Sequence, residues 1–577
     1  MTRPALRLAL LLACTTVFTA SAPGQTRPGD PPIASRRGLV VSTSAIASDI
    51  GAATLARGGN AVDAAVATAF ALAVTHPSAG NIGGGGFMIV QPVKGDPVAI
   101  DYREKAPLRS TPTMYLGPDG NIDRSLTAAG WLAPGVPGTV RGMEEAHRRF
   151  GRLPWRDVVL PAAELAERGF ALDSNLARSL NRVVAGPMAP FPSSIAAYGK
   201  AGGQEWQAGD VLRLPDLGRS LRAIAEQGPD VFYTGWIADR IAEGMAAGGG
   251  IIGKADLAAY HPRVREPVRG TYKGYEIVSM PPPSSGGVVI LEVLNILEGF
   301  NLQARGRYAA STMHLEIEAM RRAYLDRARF LGDPDFVDVP VARLISKAYG
   351  QEQARQIDTA HATSSAELGR DIVTSVAAES DETTHFSVVD ADGMAVSNTY
   401  TLEGGFGSFV VVPGAGFLLN NEMGDFNKKP GETNLRGDIG TPPNLIAPGK
   451  RMLSSMSPAI VRKDGKTVLI TGSPGGRTIP NTTLAVLLNV LEFGMGPREA
   501  VDGQRLHHQW LPDVAVLEAD AVTPADLKTL QVMGHQVRVS GRWSQGDAHT
   551  IWIDPAAGIA YGAADPRSAN SRASAPR

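Results

Sequence analysis

The chain has 577 residues, of which 44% are hydrophobic and 20% are charged, so it is able to bury a sizeable core. Lys and Arg total 56 against 57 for Asp and Glu, and this net charge of −1 argues against a strongly basic nucleic-acid-binding protein. The single cysteine, Cys14, excludes an intramolecular disulfide, a cysteine-based zinc site and an iron–sulfur cluster.

Residues 1–24 have the pattern of a secretory signal peptide, with two early arginines, an apolar stretch to about Phe18 and small residues after it. The apolar stretch is shorter than the roughly 20 residues of a bilayer span, and no later run is long and apolar enough to cross a membrane. We therefore expect a periplasmic or secreted protein without a membrane span. Two alternatives are a lipid anchor at Cys14, whose flank loosely resembles a lipobox, and a buried first helix.

The first two thirds of the chain alternate strand and helix patterns. Residues 61–75 have helical spacing and few polar side chains, which predicts a buried helix. Four glycines at 83–86 lead into an apolar strand, and residues 98–104 predict a second one. Apolar residues at i, i+3 and i+4 over 291–300 and 314–331 predict helices in a mostly helical middle region.

The last third switches to hairpins. Residues 358–382 are polar, small and aperiodic, which indicates an exposed linker. Strands at 384–390 and 394–401 flank an Asp-Gly turn, and the same pattern recurs later in the chain. The further predictions are hairpins at 459–472 and 551–565, a buried helix at 478–493 and a helix capped by Thr523-Pro524. Strands on both sides of helical blocks favour an α/β fold in which sheets are layered with helices.

Three common functional motifs are incomplete or missing in this sequence. The segment Gly248–Lys254 starts like a P-loop, but Ala255 stands where Ser or Thr would hold magnesium. His507 and His508 are adjacent and cannot share a helix face as zinc ligands do. No G-x-S-x-G elbow is present, so a conventional serine triad has no obvious position.

One threonine remains as a candidate nucleophile. Glu382-Thr383-Thr384-His385 lies where the polar segment meets a strand. A threonine hydroxyl can be activated by its own α-amine if a chain break makes it the first residue. By spacing alone, Thr383 could also be an ordinary β-branched strand residue.

The neighbouring motifs favour the chemical interpretation. Thr401 ends the partner strand of the predicted hairpin, so pairing would bring a second hydroxyl close to Thr383. A glycine turn at 472–476 could direct backbone N–H groups into a site, as an oxyanion hole requires. Two further clusters offer charge and hydroxyls: Glu422 with Asp425, and Ser454 with Ser455.

Eleven motifs in order give the chain a resemblance to a known family. They are ASDIGAATLARGGNAVDAA, GNIGGGGFM, DYREKAP, GVPGTV, MPPPSSGG, TTHFSVVD, NNEMGDF, LSSMSPAIV, TGSPGG, RLHHQWLPD and ADPRS. This set resembles the γ-glutamyltranspeptidase (glutathione hydrolase) family of N-terminal-nucleophile hydrolases over nearly the whole mature chain. The resemblance implies a four-layer αββα sandwich, formed jointly by two subunits of one precursor.

The resemblance also implies self-cleavage at the Glu382–Thr383 bond. Residues 25–382 would form the large subunit and residues 383–577 the small subunit. Thr383 would then attack the γ-amide of the substrate with its own α-amine as general base. Thr401 would orient the nucleophilic hydroxyl, and Gly475 and Gly476 would supply the oxyanion-hole N–H groups.

The family's substrate pocket maps onto charged and hydroxyl residues. Arg103 would clamp the α-carboxylate of the γ-glutamyl group, with hydrogen bonds from Ser454 and Ser455. Glu422 and Asp425 would hold the α-ammonium. The implied donors are glutathione and other γ-glutamyl small molecules, and the implied acceptors are water, amino acids or dipeptides. No metal, organic cofactor or nucleic acid is implied.

Two positions depart from the family pattern. Glu403, in the substrate-binding set, stands where many members have Asn, and Arg436 stands where some have a gating Tyr. These positions bear on the balance of hydrolysis and transfer, and on the gating of the lid that the resemblance implies for the loop between Asp425 and Arg451. The alternatives are a related acylase, acting on cephalosporin or poly-γ-glutamate, and a secreted binding protein without catalysis.

Overall fold

The computed structural model describes residues 26–372, 383–434 and 439–577. The predicted signal peptide, Glu382 and Arg436 lie outside these residues. Within the described ranges, no helix has both the length and the apolar character needed to cross a membrane.

Most of the strands form two large sheets. Sheet I has the order β19-β2-β10-β11-β3-β4-β7, and sheet II has the order β1-β18-β17-β13-β12-β9-β8. Neighbouring strands in both sheets are antiparallel. The strands, numbered in chain order, are β1 Ile33–Ser35, β2 Gly38–Ser42, β3 Gly85–Gln91, β4 Val98–Asp101, β5 Phe170–Ala171, β6 Val211–Leu212, β7 Arg263–Arg265, β8 Val268–Tyr272, β9 Tyr275–Ser279, β10 Thr384–Asp390, β11 Ala395–Thr401, β12 Ala459–Lys463, β13 Lys466–Thr471, β14 Leu506–His507, β15 Ala515–Glu518, β16 Val537–Ser540, β17 Thr550–Asp554, β18 Ile559–Ala563 and β19 Arg572–Ser574.

Helices cover the outer face of each sheet. The helices of the described residues are α1 Ala45–Ala56, α2 Ala61–Thr75, α3 Ser125–Ala128, α4 Thr139–Phe150, α5 Trp155–Arg168, α6 Ser174–Ala185, α7 Pro192–Tyr198, α8 Pro215–Gln227, α9 Asp230–Tyr233, α10 Trp236–Gly248, α11 Lys254–Ala258, α12 Gly286–Leu297, α13 Leu302–Arg305, α14 Ala310–Phe330, α15 Val341–Leu344, α16 Lys347–Arg355, α17 Ser365–Leu368, α18 Ile479–Leu491, α19 Pro497–Asp502 and α20 Pro524–Val532. Helices α1, α2 and α4 contact strands of sheet I, and α12 contacts strands of sheet II.

Alternating side chains build three apolar layers. Leu39 and Val41 of β2 lie in a cluster between the sheets, together with Ile460 of β12. Val40, on the other face of β2, joins the core shared with α1 and α2. Val461 of β12 likewise faces the core beneath α12, α14 and α18. The period-2 alternation of strands therefore produces the predicted αββα sandwich.

The predicted local elements are confirmed. The three predicted hairpins correspond to β10–β11, β12–β13 and β17–β18. The predicted helix at 61–75 is buried along its whole length as α2, and its capping box joins Asn60 and Asp63. Thr523 caps α20 by accepting a hydrogen bond from the backbone of Asp526.

The prediction of an exposed linker over 358–382 is wrong for part of its length. Residues 358–361 are exposed, but Ser365 is buried. Its N–H donates to Asp513 (2.8 Å) and its carbonyl accepts from the Trp510 indole (2.9 Å). These hydrogen bonds join polar groups far apart in the chain, so hydrophobic periodicity cannot reveal them.

Both sheets interleave strands from before and after position 383. In sheet I, β10 pairs with β2 on one side and β11 on the other, and β11 pairs with β3. In sheet II, β12 pairs with β9 and β18 pairs with β1. The two parts of the chain consequently form a single sandwich.

Candidate active site

Thr383 directly precedes the central strand β10 and is 7% exposed. The register pairs Thr384 with Tyr400 in β11. Continuing the antiparallel register by one residue places Thr383 opposite Thr401, as the hairpin pattern predicts. Both threonines line a cavity that we call the Arg103 cavity.

The Arg103 cavity brings most of the predicted site residues together. Gly475 is the exception, because it lines a neighbouring cleft that also reaches Thr383. The predicted residues that line the Arg103 cavity are Arg103, Thr383, Thr401, Glu403, Glu422, Asp425, Ser454, Ser455 and Gly476.

Three carboxylates surround the buried guanidinium of Arg103. Its Nη1 lies 2.7 Å from Glu422 and 3.5 Å from Glu104, and its Nη2 pairs with Asp425. Arg103, Glu104 and Glu422 are at most 1% exposed, whereas the Asp425 side chain is 28% exposed. Of this cluster, Asp425 is therefore the group most open to the solvent side of the cavity.

Burial dominates the protonation of this cluster. It raises the pKa of Glu104 to about 8, although Arg103 opposes the change. Burial also raises the pKa of Glu422 well above its ordinary value, again against the attraction of Arg103. The three carboxylates keep the pKa of Arg103 raised despite its burial, so the guanidinium is charged.

A glycine run holds Thr401 in place. A Cβ on Gly84 would lie 2.1 Å from the Thr401 carbonyl oxygen, so only glycine allows this approach. The Asn81 side chain donates to the same carbonyl (2.8 Å) and accepts from the Gly84 N–H (2.9 Å) and the Thr139 hydroxyl (2.7 Å). Sequence reasoning missed Asn81, although GNIGGGG contains it.

Glu403 follows Thr401 in a left-handed backbone conformation, with φ at +79°. Its N–H donates to Thr401 Oγ1 (2.9 Å), and its carboxylate accepts from the Asn421 side-chain amide. Non-glycine residues rarely adopt this conformation, and strain of this kind is concentrated at functional sites. The backbone of Glu403 thus fixes the hydroxyl of Thr401.

Ser454 and Ser455 lie on a loop fixed by a second buried arginine, Arg327 of α14. Arg327 Nη2 donates to Ser455 Oγ (3.1 Å), and its Nε donates to Ser285 Oγ (2.9 Å). The Ser285 hydroxyl in turn donates to the Ser454 carbonyl (2.7 Å). Arg327 was not predicted as a site residue, because an arginine inside a helical pattern carries no spacing signal of its own.

The glycine turn adopts a backbone that other residues avoid. Gly475 has φ +124° and Gly476 has φ +53°. A Cβ on Gly475 would lie 2.5 Å from Thr478 Oγ1. Gly475 faces the neighbouring cleft and Gly476 faces the Arg103 cavity, so the turn lies at the boundary beside Thr383.

One cluster of the described residues has metal-ligand types, formed by His314, Glu318 and His535. The two imidazoles hydrogen-bond each other (2.7 Å). Glu318 is already paired with Arg321 and Arg322 at 2.6 Å each. The protein itself therefore supplies partners for these ligand atoms.

The fold and the charged cavity at Thr383 define the class of the protein, the N-terminal-nucleophile hydrolases. The family model "Gamma-glutamyltranspeptidase" matches residues 47–575. A glutathione hydrolase proenzyme of Escherichia coli (strain K12) is 46% identical over 537 residues, covering 93% of this chain and 91% of that protein. The chain belongs to the γ-glutamyltranspeptidase family.

Solved structures agree with this placement. The crystal structure of a Helicobacter pylori γ-glutamyltranspeptidase matches this chain with 44% sequence identity and a TM-score of 0.54. The match covers 55% of this chain and 91% of that chain. A cephalosporin acylase from Bacillus halodurans has a TM-score of 0.82 at 27% identity, covering 96% and 98% of the two chains. Both activities therefore occur among the structural relatives.

Proposed function

We propose that this protein is a self-processing γ-glutamyltransferase and glutathione hydrolase that uses Thr383 as its nucleophile. The observation that carries the proposal is the Arg103 cavity. Thr383 and Thr401 line it together with a buried cation and the carboxylates of Glu422 and Asp425. A γ-glutamyl group carries one anionic and one cationic substituent on the same carbon, which these charges complement.

Maturation is the first reaction of this site. The Thr383 hydroxyl attacks the carbonyl carbon of Glu382, and the acyl group moves from nitrogen to oxygen. Water then cleaves the resulting ester, leaving a carboxylate on Glu382 and a free α-amine on Thr383. The products are a large subunit of residues 25–382 and a small subunit of residues 383–577.

Substrate binding exchanges ion pairs inside the protein for ion pairs with the ligand. In the empty cavity, Arg103 pairs with Glu422 and Asp425. The substrate's α-carboxylate takes a place at Arg103, beside Ser454 and Ser455, while its α-ammonium takes a place at the carboxylates. The substrate thereby offsets the cost of separating the buried charges.

Catalysis then follows the N-terminal-nucleophile scheme. The α-amine of Thr383 accepts the proton of its own hydroxyl as Oγ1 attacks the γ-amide carbon. The N–H groups of Gly475 and Gly476 stabilise the oxyanion, and Thr401 orients the attacking hydroxyl. The amine product leaves with the proton, and water or an acceptor amine releases the γ-glutamyl group from Thr383.

Intact mass and activity test the processing and the nucleophile together. The purified wild type should give two chains under denaturing conditions, the smaller beginning at Thr383, and should hydrolyse a γ-glutamyl anilide. Thr383→Ala should remain one chain and be inactive, while Thr383→Ser keeps a hydroxyl and should still be processed. A processed Thr383→Ala chain would remove Thr383 from the mechanism, and an uncut, inactive wild type would remove the proposal.

The similarity to a cephalosporin acylase supports a second candidate, an acylase for side chains without the full γ-glutamyl group. Glutaryl and 4-aminobutyryl anilides separate the two, because the first lacks the ammonium and the second lacks the carboxylate. Each missing charge leaves buried partners unpaired and should lower kcat/KM by about 100-fold or more. A preference for the glutaryl anilide would favour the acylase.

We also propose that residues 1–24 export the protein, which then works in the periplasm or outside the cell. The sequence pattern of these residues supports this location. Sequencing the N-terminus of the exported protein should find the segment removed. Recovery of the full-length N-terminus in the cytosol would contradict export.

A further inference from the structure

A second cavity also reaches Thr383. We call it the Arg178 cleft, and it is wider than the Arg103 cavity. Its walls include Arg178 and Arg182 of α6, Trp543, Asp547, Gly475 and Thr383. None of the predicted substrate-binding residues lines it.

The glycine turn marks the boundary between the two spaces. Gly476 lines the Arg103 cavity, Gly475 lines the Arg178 cleft, and Thr383 lines both. An acyl carbon held at Thr383, with its oxygen at these glycines, carries two further groups: the acyl chain on one side and the amine on the other. If the acyl chain fills the Arg103 cavity, the amine side of the bond faces the Arg178 cleft.

The cleft contains two cations that are available for an anionic ligand. Arg178 and Arg182 are four residues apart on α6, so they share one face of the helix, and both are exposed. Among the described residues neither forms an ion pair with a carboxylate, and Arg178 has one long contact, 3.5 Å, to Asn175. The third arginine of the cleft, Arg567, already pairs with Glu518 and Asp565.

The acidic residues of the cleft are engaged elsewhere or lie near the glycine turn. Asp173 caps α6 by accepting from the backbone of Asn175 and Leu176. Asp547 is anchored beside the turn, since its N–H donates to Ser473 Oγ (2.9 Å). Asp547 Oδ1 is buried without a hydrogen-bond partner, which leaves an acceptor for an amine at this end of the cleft.

The walls of the cleft also carry unusual backbone strain. Phe406, Phe409 and Trp543 line it, with φ values of +66°, +60° and +54°. Left-handed backbone is a true outlier for bulky residues, and it persists where the surrounding structure enforces it, often at ligand sites. The buried indole N–H of Trp543 has no acceptor, which adds a second unsatisfied polar atom.

We propose that the Arg178 cleft binds the amine side of the reaction: the peptide that leaves during hydrolysis, and the amino acid or dipeptide that accepts during transfer. The amine lies at Thr383 and Asp547, and the C-terminal carboxylate pairs with Arg178 and Arg182. The inference rests on the proposed role of Thr383.

A carboxylate-specific readout tests this inference. The substrates are a γ-glutamyl dipeptide with a free C-terminus and the same compound with a C-terminal amide. The wild type should prefer the free carboxylate. In the double variant Arg178→Ala/Arg182→Ala, the ratio of kcat/KM for acid over amide should fall by about three- to tenfold, as expected for exposed ion pairs. The double variant with lysine at both positions should restore part of the ratio.

Arg355→Ala is the matched control, because Arg355 is exposed on α16 and lies outside both cavities. It should keep the wild-type ratio. The inference would be overturned if the double alanine variant lost kcat/KM equally for the acid and the amide substrate, so that the ratio of acid over amide stayed at the wild-type value. A wild type inactive even on a γ-glutamyl anilide would instead overturn the proposed function, and the inference would fall with it.

Discussion

Arg103 is a buried cation whose ionisable partners are all carboxyl groups, and these partners determine both its contribution to stability and its proposed role in binding. Glu104 and Glu422 have carboxylate oxygens without hydrogen-bond partners, so Arg103 is their main source of compensation. Removing Arg103 leaves Asp425 without its cation and the buried carboxyl groups of Glu104 and Glu422 without a polar partner, which costs more than the intact contacts contribute.

Arg103→Gln should therefore affect binding and stability together. We expect the KM for a γ-glutamyl anilide to rise about 100-fold and the free energy of unfolding to fall by about 1–3 kcal/mol. Arg103→Lys keeps the charge but loses the fork geometry, and should give a smaller change in both. Steady-state kinetics and denaturant unfolding measure the two effects, and an unchanged KM in Arg103→Gln would exclude Arg103 from the substrate clamp.

The resemblance to the family identified the site residues that belong to recognisable sequence motifs. It did not identify the residues that hold those site residues in place through hydrogen bonds. Asn81 and Arg327 hold Thr401 and Ser455 through hydrogen bonds from distant parts of the chain. Polar residues of this kind have no period or spacing, so the sequence alone gives no reason to select them.

Among the elements, the loop before β3 shows how backbone approach positions a site. Gly84 directly precedes β3 and Gly86 lies within it, and a Cβ on either would lie 2.1 or 2.4 Å from atoms of Thr401 or Tyr400 at the end of β11. Side chains are excluded here because the two backbones are already in contact. The loop therefore fixes the end of β11 at the cavity.

Gly84→Ala should push this loop away from Thr401. We expect a loss of about 1–3 kcal/mol in the free energy of unfolding, together with reduced kcat from a displaced Thr401. Gly541→Ala is the control, because its Cβ would meet only the Ser544 Cβ, at 4.0 Å. Its stability should stay within about 0.5 kcal/mol of wild type. Equal melting curves for the two variants would contradict the packing argument.

Local signals explain why the hairpins were predictable. Asp464 and Gly465 adopt φ values of +50° and +76° between β12 and β13, as a tight Asp-Gly turn requires. The pairing of β10 with β2 has no such signal, since it joins Val389 to Leu39 across most of the chain. Periodicity identifies strands but does not identify distant partners.

The whole molecule buries several histidines in neutral form. Burial lowers the pKa of His507 and His508 to about 4 and that of His535 to about 3. In the unfolded chain a histidine binds a proton below about pH 6.5, whereas in the folded protein these buried histidines stay neutral to a lower pH. Their contribution to the free energy of unfolding is therefore fully present above about pH 6.5 and is lost as the pH falls towards 4.

Acid should therefore destabilise the protein between about pH 6.5 and pH 4. For each such histidine, the free energy of unfolding falls by up to about 1.4 kcal/mol for each pH unit of acidification. His507→Gln should flatten the dependence of Tm on pH over this interval, whereas the exposed His361 provides a control position. An identical pH dependence in wild type and His507→Gln would contradict the assignment.

The interleaved sheets give backbone cleavage a lasting thermodynamic effect. While the chain is continuous, folding is a one-molecule reaction and its midpoint does not depend on protein concentration. Once the proposed scission before Thr383 has occurred, the β2–β10, β3–β11 and β9–β12 pairings join two separate molecules. Denaturation then releases two chains, so its midpoint shifts with concentration, and refolding requires an encounter that the precursor never needed.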